Sequence, residues 1–395
     1  MRKFVDKHIK LAKNKYYHDY FEQHKYDSRK QWQLLNTLLN RNNKKSRITK
    51  LIDKNGEITS CSQKIAEKFN DYFVNIAANL KDNINNPSSA RYSKFLKNQT
   101  TNSIYLAEVE PGEIKEIIAG LKEKTTSDTK ICPLKHLNGI TKLHEALAVT
   151  INCSLNEGIF PSQLKVAKVI PIHKGGTKTD VANYRPISLL STFSKIYEKV
   201  MRARLTNFLE TYDILYEMQY GFRKGRSCEH ALLVAQNELL SNLSKKQITM
   251  LLLIDFSKAF DMVDHEILLK KLQHYGIRGN ALNWIKSYLS NRMQFVSING
   301  KNSTTKNLTH GVPQGSILGP LFFIIYINDI PEIHAISKFI LYADDANIIL
   351  KGNSITEIEL QFATLSSALA EWVASNGLIL NLKKTTICFS LTNDE

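Results

Sequence analysis

Three aspartates stand where their carboxylates could hold metal ions. Asp344 and Asp345 are adjacent, between two apolar segments that indicate the arms of a β-hairpin. Asp255 ends the apolar run ITMLLLID, which is typical of a buried strand. Carboxylate-rich sites favour Mg²⁺ or Mn²⁺, and three carboxylates can hold two such ions. If the strand lies beside the hairpin, these residues predict a site for phosphoryl transfer.

The same residues also have a structural interpretation. Taken alone, two aspartates at a turn are more often a polar surface turn than a metal site, because short motifs recur freely. Tight hairpin turns usually contain Asn-Gly or Asp-Gly, since they need residues that tolerate positive φ. Adjacent carboxylates repel each other, and a divalent cation would compensate. The third carboxylate, at Asp255, favours the metal hypothesis.

The rest of the sequence predicts the strands and helices that must position these carboxylates. The apolar patterns predict strands at residues 168–173, 248–255, 294–298, 339–350 (as a hairpin) and 378–389. They predict helices at residues 65–76, 110–124, 187–205, 265–274, 282–289, 318–327 and 354–377. This mixture predicts an α+β domain compatible with a split βαβ sheet. A polar, turn-rich break at residues 83–93 is the candidate domain boundary.

The chain of 395 residues is basic, with a net charge of +16, which suits a polyanionic partner such as nucleic acid. Ten of those charges lie in residues 1–50, which form either a solvated arm or a nucleic-acid-binding extension. The five scattered cysteines form no CxxC pair and indicate reduced thiols in an intracellular protein of the nucleus or cytoplasm. No signal peptide or stretch of about 20 apolar residues indicates a membrane protein.

Five motifs, in order, resemble those of reverse transcriptases from non-LTR (LINE-type, jockey-like) retrotransposons. They are NYRPISLLSTFSKIYEKVM at 183–201, QYGFRKGRSCEHAL at 219–232, LLLIDFSKAFDMVDH at 251–265, HGVPQGSILGPLFFIIYINDI at 310–330 and LYADD at 341–345. The similarity extends over about residues 165–390, and more loosely over 101–164. It implies an RNA-directed DNA polymerase that uses an RNA template and dNTPs to extend a DNA primer.

The resemblance also implies a domain organisation. Residues 1–100 would form a basic, mostly helical N-terminal extension, 101–247 the fingers, and 248–395 the palm of a right-hand polymerase with a split βαβ, RRM-like sheet. The chain ends soon after the last palm strand, so we expect the thumb to be absent and the protein to be truncated. The oligomeric state is not indicated.

The resemblance assigns the central site residues. Asp255 and Asp344 would hold two Mg²⁺ ions, or Mn²⁺, with Asp345 assisting. Phe260 would be the steric gate that rejects a ribose 2′-hydroxyl, and its structural alternative is a core aromatic. Lys384 would position or protonate pyrophosphate, although Lys383 is an equal candidate and a solvated lysine is the structural alternative.

Further residues are assigned to the nucleotide and the nucleic acid. Arg185 would bind the incoming triphosphate, since guanidinium suits phosphate, and Lys174 would assist it. Gln314 would line the nucleotide pocket, while Gly315 in the same turn would lie on the nucleic-acid side or be a turn glycine. The residues expected to touch the template backbone are Arg223 and Arg226.

Two alternatives remain beside the active enzyme. One is a catalytically silent, truncated nucleic-acid-binding remnant. The other, a nucleotide cyclase or different palm polymerase, would not bring the Asn-Tyr-Arg-Pro and Pro-Gln-Gly motifs in this order. One departure from the family pattern concerns residues 124–133, which lack the glycines of the usual Ser-Gly-x-Asp-Gly turn.

Overall fold

The computed structural model describes residues 2–39, 48–52, 56–81, 92–96, 99–121, 137 and 139–390. The chain forms two compact units, Met1–Ile48 and Thr49–Glu395. The smaller unit contains helices α1 (Arg2–Gln23) and α2 (Ser28–Leu38). Asp27 caps α2 by accepting a hydrogen bond from the backbone N–H of Lys30 at 3.1 Å.

The larger unit mixes strands and helices, as the sequence predicted. Its strands are β1 (Leu51–Ile52), β2 (Ile58–Thr59), β3 (Val166–His173), β4 (Tyr184–Leu189), β5 (Ile248–Asp255), β6 (Arg292–Ile298), β7 (Lys301–Asn302), β8 (Lys306–Leu308), β9 (Lys338–Tyr342), β10 (Asp345–Gly352) and β11 (Thr386–Ser390). Its described helices are α3 (Ser62–Val74), α4 (Ile76–Lys81), α5 (Pro111–Ala119), α6 (Thr141–Glu157), α7 (Thr192–Thr211), α8 (Cys228–Ser244), α9 (Ala259–Met262), α10 (His265–His274), α11 (Gly279–Leu289), α12 (Gly319–Tyr326) and α13 (Ile355–Ser375).

A four-stranded antiparallel sheet has the order β11-β5-β10-β9. Strand β5 is an inner strand because it pairs with β10 on one edge and with β11 on the other. Its run is apolar because both of its faces are also covered. Leu252 and its neighbour Ile348 on β10 join the main core, together with residues of α13. On the opposite face, Ile349 packs with Ala231 of α8. This packing fixes the register that brings the ends of β5 and β10 together.

A second sheet has five strands, with the order β4-β3-β6-β7 and β8 also paired with β6. Strands β3 and β6 are parallel, whereas β3 and β4 form an antiparallel pair. Helix α3 is tied to this sheet through Asn70, whose side-chain Nδ2 donates to the Thr304 carbonyl at 2.8 Å. The Oδ1 of Asn70 accepts from Gln294 Nε2 at 3.1 Å.

Helix α13 begins and ends at the capping residues that the sequence predicted. The Ser354 hydroxyl accepts a hydrogen bond from the Glu357 backbone N–H at 3.2 Å. Gly377, beyond the helix end, has a left-handed φ of +60° that glycine adopts without strain. Helix α12 is apolar, and all of its residues except Pro320 are buried, as predicted. No helix among the described residues is both long and apolar enough to cross a bilayer.

Two predicted boundaries are wrong. Residues 187–189 belong to strand β4 rather than to a helix, and α7 begins after Ser191, whose hydroxyl accepts from the Ser194 backbone N–H at 3.0 Å. Pairing with β3 outweighs the apolar spacing that mimics a helix stripe. The final strand begins at Thr386 rather than at residue 378, because the preceding segment turns around the end of β5.

Some sequence predictions fall on residues outside the described ranges. These include residues 124–133, Cys132 and most of the polar break at 83–93. The other four cysteines are free thiols with exposed positions. The domain limits at residues 100 and 247 stay predictions, while the division between the two compact units lies after Ile48.

Candidate active site

Sheet pairing brings the three aspartates to one end of the four-stranded sheet. Asp345, the first residue of β10, pairs directly with Asp255, the last residue of β5. Asp345 also pairs with Tyr342 on β9, so Ala343 and Asp344 form the turn between these strands. Directly opposed Cα atoms in antiparallel strands are about 4.5–5.5 Å apart. The juxtaposition expected from the sequence is therefore present.

Strained backbone surrounds these carboxylates. Ala343 and Lys258 adopt left-handed conformations, with φ of +56° and +51°. Non-glycine residues rarely occupy this region, and where they do they cluster at functional sites. The positive φ that a tight hairpin needs is thus taken by Ala343, which leaves the next position free to carry a carboxylate.

The carboxylates concentrate negative charge at this edge. Burial raises the pKa of Asp345, and the neighbouring charges of Asp344 and Asp255 raise it further, while Lys384 opposes the shift. Such crowding favours a bound cation. Among the described residues, no three His, Cys, Asp or Glu side chains are already gathered closely enough to hold a metal ion.

A lysine ammonium lies beside Asp255. Lys384 Nζ lies 2.9 Å from Asp255 Oδ2 and 3.1 Å from Oδ1. Asn381 adds a hydrogen bond from Nδ2 to Oδ2 at 2.7 Å, and its backbone N–H donates to the Asp255 carbonyl at 2.8 Å. Carboxylates are the ligands that hard divalent cations prefer, and Asp255 already binds a positive group, so the three aspartates fit such a cation in their chemistry.

Basic residues from the five-stranded sheet lie near these carboxylates. Arg185 is on β4 and Lys174 follows β3, where its backbone N–H donates to the Asn183 carbonyl at 2.8 Å. Burial lowers the pKa of Lys174, and the charges of Arg185 and Lys384 lower it further, whereas Asp255 raises it. Lys174, one of the predicted nucleotide-binding residues, therefore lies within electrostatic reach of both Arg185 and Asp255.

Lys258 also belongs to this basic group, although the sequence did not single it out. Its Nζ donates to the Tyr184 carbonyl at 3.3 Å, which ties the segment after β5 to the start of β4. Burial lowers its pKa and Arg185 contributes to the lowering, while Asp261 opposes it. The signal that could have found Lys258 is its position in the same motif as Asp255.

Phe260 lies at the border between the core and the carboxylate edge. Its ring stacks on Phe323 of the buried helix α12, with centroids 4.8 Å apart and an interplanar angle of 30°. On its other side it meets the Phe222 ring edge-on at 6.5 Å, and Phe222 is 46% exposed. Phe260 is only partly buried. This position is compatible with both the gate and the core interpretation.

Gln314 contacts Asp261, a second residue that the sequence analysis missed. Its Nε2 donates to both carboxylate oxygens of Asp261, at 2.9 and 2.8 Å. Burial raises the pKa of Asp261 to about 6, with Gln314 and Lys258 opposing the shift. The Gln314 carbonyl accepts from the Ser188 backbone N–H at 2.7 Å. Gly315, with φ of +117°, lies so close to Ser188 that a Cβ would be 2.6 Å from its carbonyl oxygen.

Comparison with known proteins identifies the family. A family model described as reverse transcriptase (RNA-dependent DNA polymerase) matches residues 172–393, more than half of the chain. The chain belongs to the reverse transcriptase family.

Relatives of this chain include proteins of mobile elements. It is 31% identical over 310 residues to the probable RNA-directed DNA polymerase from transposon BS of Drosophila melanogaster. It is 29% identical over 300 residues to the RNA-directed DNA polymerase from mobile element jockey of the same species. These alignments cover 72% and 74% of this chain and 33% of each relative. The chain thus spans about a third of the length of the curated relatives it matches.

Two residues that the sequence predicted to touch the template backbone, Arg223 and Arg226, have other partners. Arg223 forms an ion pair with Glu210, through Nε to Oε1 at 2.9 Å and a second nitrogen to Oε2 at 2.5 Å, and its side chain is 6% exposed. Arg226 donates to the Glu217 carbonyl and lies over the Tyr220 ring at 5.5 Å. The geometry favours a structural role for Arg223, because its guanidinium is already satisfied.

Proposed function

We propose that this chain is the polymerase core of a non-LTR retrotransposon protein, an RNA-directed DNA polymerase that extends a primer 3′-hydroxyl with dNTPs. The observation that carries the proposal is the pairing of Asp255 with Asp345, beside Asp344 and within electrostatic reach of Lys174. In this proposal the four-stranded sheet belongs to the palm, and strands β3 and β4 of the five-stranded sheet belong to the fingers. Free exposed thiols suit a reducing compartment, nucleus or cytoplasm.

Divalent metal ions are used generally by this family. Asp255 and Asp344 would hold two Mg²⁺ ions, or Mn²⁺, with Asp345 assisting. When bound, the ions would neutralise charge on the phosphates and lower the cost of forming an alkoxide nucleophile. The side chains of this protein would position the primer 3′-hydroxyl and the nucleotide phosphates. Such positioning is the larger part of catalysis in phosphoryl transfer.

The basic residues would bind the nucleotide. Arg185, which is exposed on β4, would contact the triphosphate through its planar guanidinium, with Lys174 beside it. Lys384 would leave Asp255 for the pyrophosphate when a metal ion replaces its ammonium. Gln314, held by Asp261, would line the nucleotide pocket. Gly315, whose backbone packs closely against the Ser188 carbonyl, would lie on the nucleic-acid side of the same turn.

Phe260 would select the sugar. Its ring is anchored by Phe323 on the core side, which would make it a rigid wall against C2′ of the incoming nucleotide. Replacing it with alanine opens space for a 2′-hydroxyl, so the ratio of ribonucleotide to deoxynucleotide incorporation should rise. An unchanged ratio would leave Phe260 as a packing residue.

Primer extension tests the proposed function. The chain is incubated with an RNA template, an annealed DNA primer and dNTPs, with and without Mg²⁺, and products are separated by length. Template-dependent addition only with the metal is the expected result. RNA binding without any addition, in Mg²⁺ or Mn²⁺, would contradict the proposal and favour the catalytically silent alternative.

A further inference from the structure

Residues 218–221 lie beside the turn formed by Ala343 and Asp344, although they are far from that turn in the sequence. They run along the free edge of β9, where the Leu341 backbone N–H donates to the Met218 carbonyl at 2.9 Å. In return, the Tyr220 N–H donates to the Leu341 carbonyl at 2.8 Å. Gln219 and Leu341 form a parallel bridge. The segment therefore extends the four-stranded sheet immediately before the Ala343–Asp344 turn.

The Gln219 side chain is directed at that turn. Its Oε1 accepts from the Ala343 backbone N–H at 3.2 Å and from the Gly221 N–H at 2.8 Å. Gln219 is 1% exposed, so neither N–H can find water in its place without opening the packing. Its Nε2 is buried with no hydrogen-bond partner in the described part of the chain, so only the acceptor of this amide is used.

Gly221 makes the close approach possible. A Cβ at this position would lie 2.3 Å from the Ala343 nitrogen and 3.0 Å from the Tyr342 carbonyl carbon. Both are backbone atoms, so a larger residue would have to displace the turn. The left-handed φ of +56° at Ala343 is costly for a residue with a side chain, and the surrounding contacts must maintain it.

We infer that Gln219 and Gly221 are positioning residues for the Asp344 carboxylate. Gln219 holds the Ala343 N–H, and thereby the direction in which the next residue leaves the turn. Gly221 sets the distance between the turn backbone and residues 218–221, the segment that we call the brace. This inference rests on the proposed function, because it assigns the purpose of the brace as presenting Asp344 to a metal ion and the reacting phosphate. Outer-sphere partners of this kind typically change metal affinity or activity by about 10- to 100-fold.

The test compares Gln219→Met with Gln294→Met. Methionine keeps the shape of glutamine but leaves the Ala343 and Gly221 N–H groups without their acceptor. Gln294 is a similarly buried glutamine, 4% exposed and bonded to Asn70 in the five-stranded sheet, so its variant controls for a general loss of buried polar contacts. The readouts are single-turnover nucleotide addition, the KM for dNTP, and Mn²⁺ binding measured by electron paramagnetic resonance without substrate.

For Gln219→Met we expect an addition rate and Mn²⁺ affinity each about 10- to 100-fold below wild type, with little change in KM. Gln294→Met should keep both near wild type at a comparable unfolding midpoint. Equal behaviour of the two variants would overturn the inference. If wild type binds Mn²⁺ but adds no nucleotide, the proposed function fails while the Mn²⁺ comparison still tests the brace.

A second pair of variants tests the inference without changing Gln219. Gly221→Ala forces displacement of the turn, whereas Gly112→Ala in α5 adds a Cβ with no atom within 4 Å. We expect Gly221→Ala to lower Mn²⁺ affinity and addition rate together, and Gly112→Ala to leave both unchanged. Wild-type values for a folded Gly221→Ala protein would contradict the assignment.

Discussion

Two lysine–aspartate ion pairs in this chain have nearly the same nitrogen–oxygen distance, but one is exposed to solvent and the other is buried. Lys384 Nζ lies 2.9 Å from Asp255 at the carboxylate edge, where the side chains are 50% and 22% exposed. Lys271 Nζ lies 2.7 Å from Asp329 behind the four-stranded sheet, where the exposures are 0% and 2%. The distance alone therefore says little about what each pair does.

The surroundings separate their roles. Lys271 also donates to the Tyr326 carbonyl at 2.6 Å, and Trp372 Nε1 donates to Asp329 Oδ1 at 3.3 Å, so this pair is built into the core. The Lys384–Asp255 site is open to solvent, so water can replace Lys384 there, and under the proposed function a metal ion would do so. A buried pair stabilises only while both members are present, whereas an exposed pair is exchangeable.

The largest expected effect is on catalysis at the open cluster. Asp344→Asn removes a ligand charge while keeping the side-chain shape, and the addition rate should fall about 1,000-fold or more, equivalent to roughly 4 kcal/mol. The free energy of unfolding should change by less than about 0.5 kcal/mol. Asp213→Asn, at an exposed position away from the site, is the control. Retained primer extension in Asp344→Asn would end the metal assignment.

The next effect is on stability at the buried pair. Lys271→Met leaves the Asp329 carboxylate buried without its cation, and the free energy of unfolding should fall by about 3–5 kcal/mol. Lys286→Met, at an exposed position of α11, should change it little. A double change, Lys271→Met with Asp329→Leu, should recover most of the loss. Chemical denaturation measures all three, and a Lys271→Met protein as stable as wild type would remove the contrast between the pairs.

A smaller, pH-dependent effect is expected at Asp261. Its folded-state pKa of about 6 lies above the ordinary value of 3.8, so folding favours the protonated form. The carboxylate consequently destabilises the fold as the pH rises from about 4 to about 6, and its full cost applies above that window. The free energy of unfolding of Asp261→Asn, minus that of wild type, should increase across the window by up to about 3 kcal/mol.

Denaturation curves between pH 4 and pH 7 check this expectation. The same difference for Asp213→Asn should be flat, because both proteins then keep Asp261. A flat difference for Asp261→Asn would show that burial does not raise the pKa of this carboxyl.

The smallest effect is expected at the exposed pair. Lys384→Met should change the free energy of unfolding by less than about 1 kcal/mol, and the change should shrink as salt is added. The substitution removes an ammonium that competes with a metal ion for Asp255, so Mn²⁺ binding should be no weaker than in wild type. A loss of several kcal/mol would place Lys384 with Lys271 as a structural lysine.

Local patterns predicted the parts of the site that depend on neighbours in the chain. The apolar run before Asp255 and the two arms around Asp344 and Asp345 predicted a strand and a hairpin, and both form. Ser354 and Gly377 marked the ends of α13 for the same reason, since caps involve residues a few positions apart. The prediction failed at residues 187–189, where pairing with β3 outweighs apolar spacing.

The amino-acid sequence by itself determined the carboxylates, the basic balance and the motifs that identify the family. Only the tertiary structure decided which side chains hold those groups in place. Asp261 and Gln314 are 53 positions apart, Gln219 and Ala343 are 124 apart, and Asp255 and Asn381 are 126 apart. No local periodicity relates such pairs, because their contact depends on how the strands pair and how the core packs rather than on spacing along the chain.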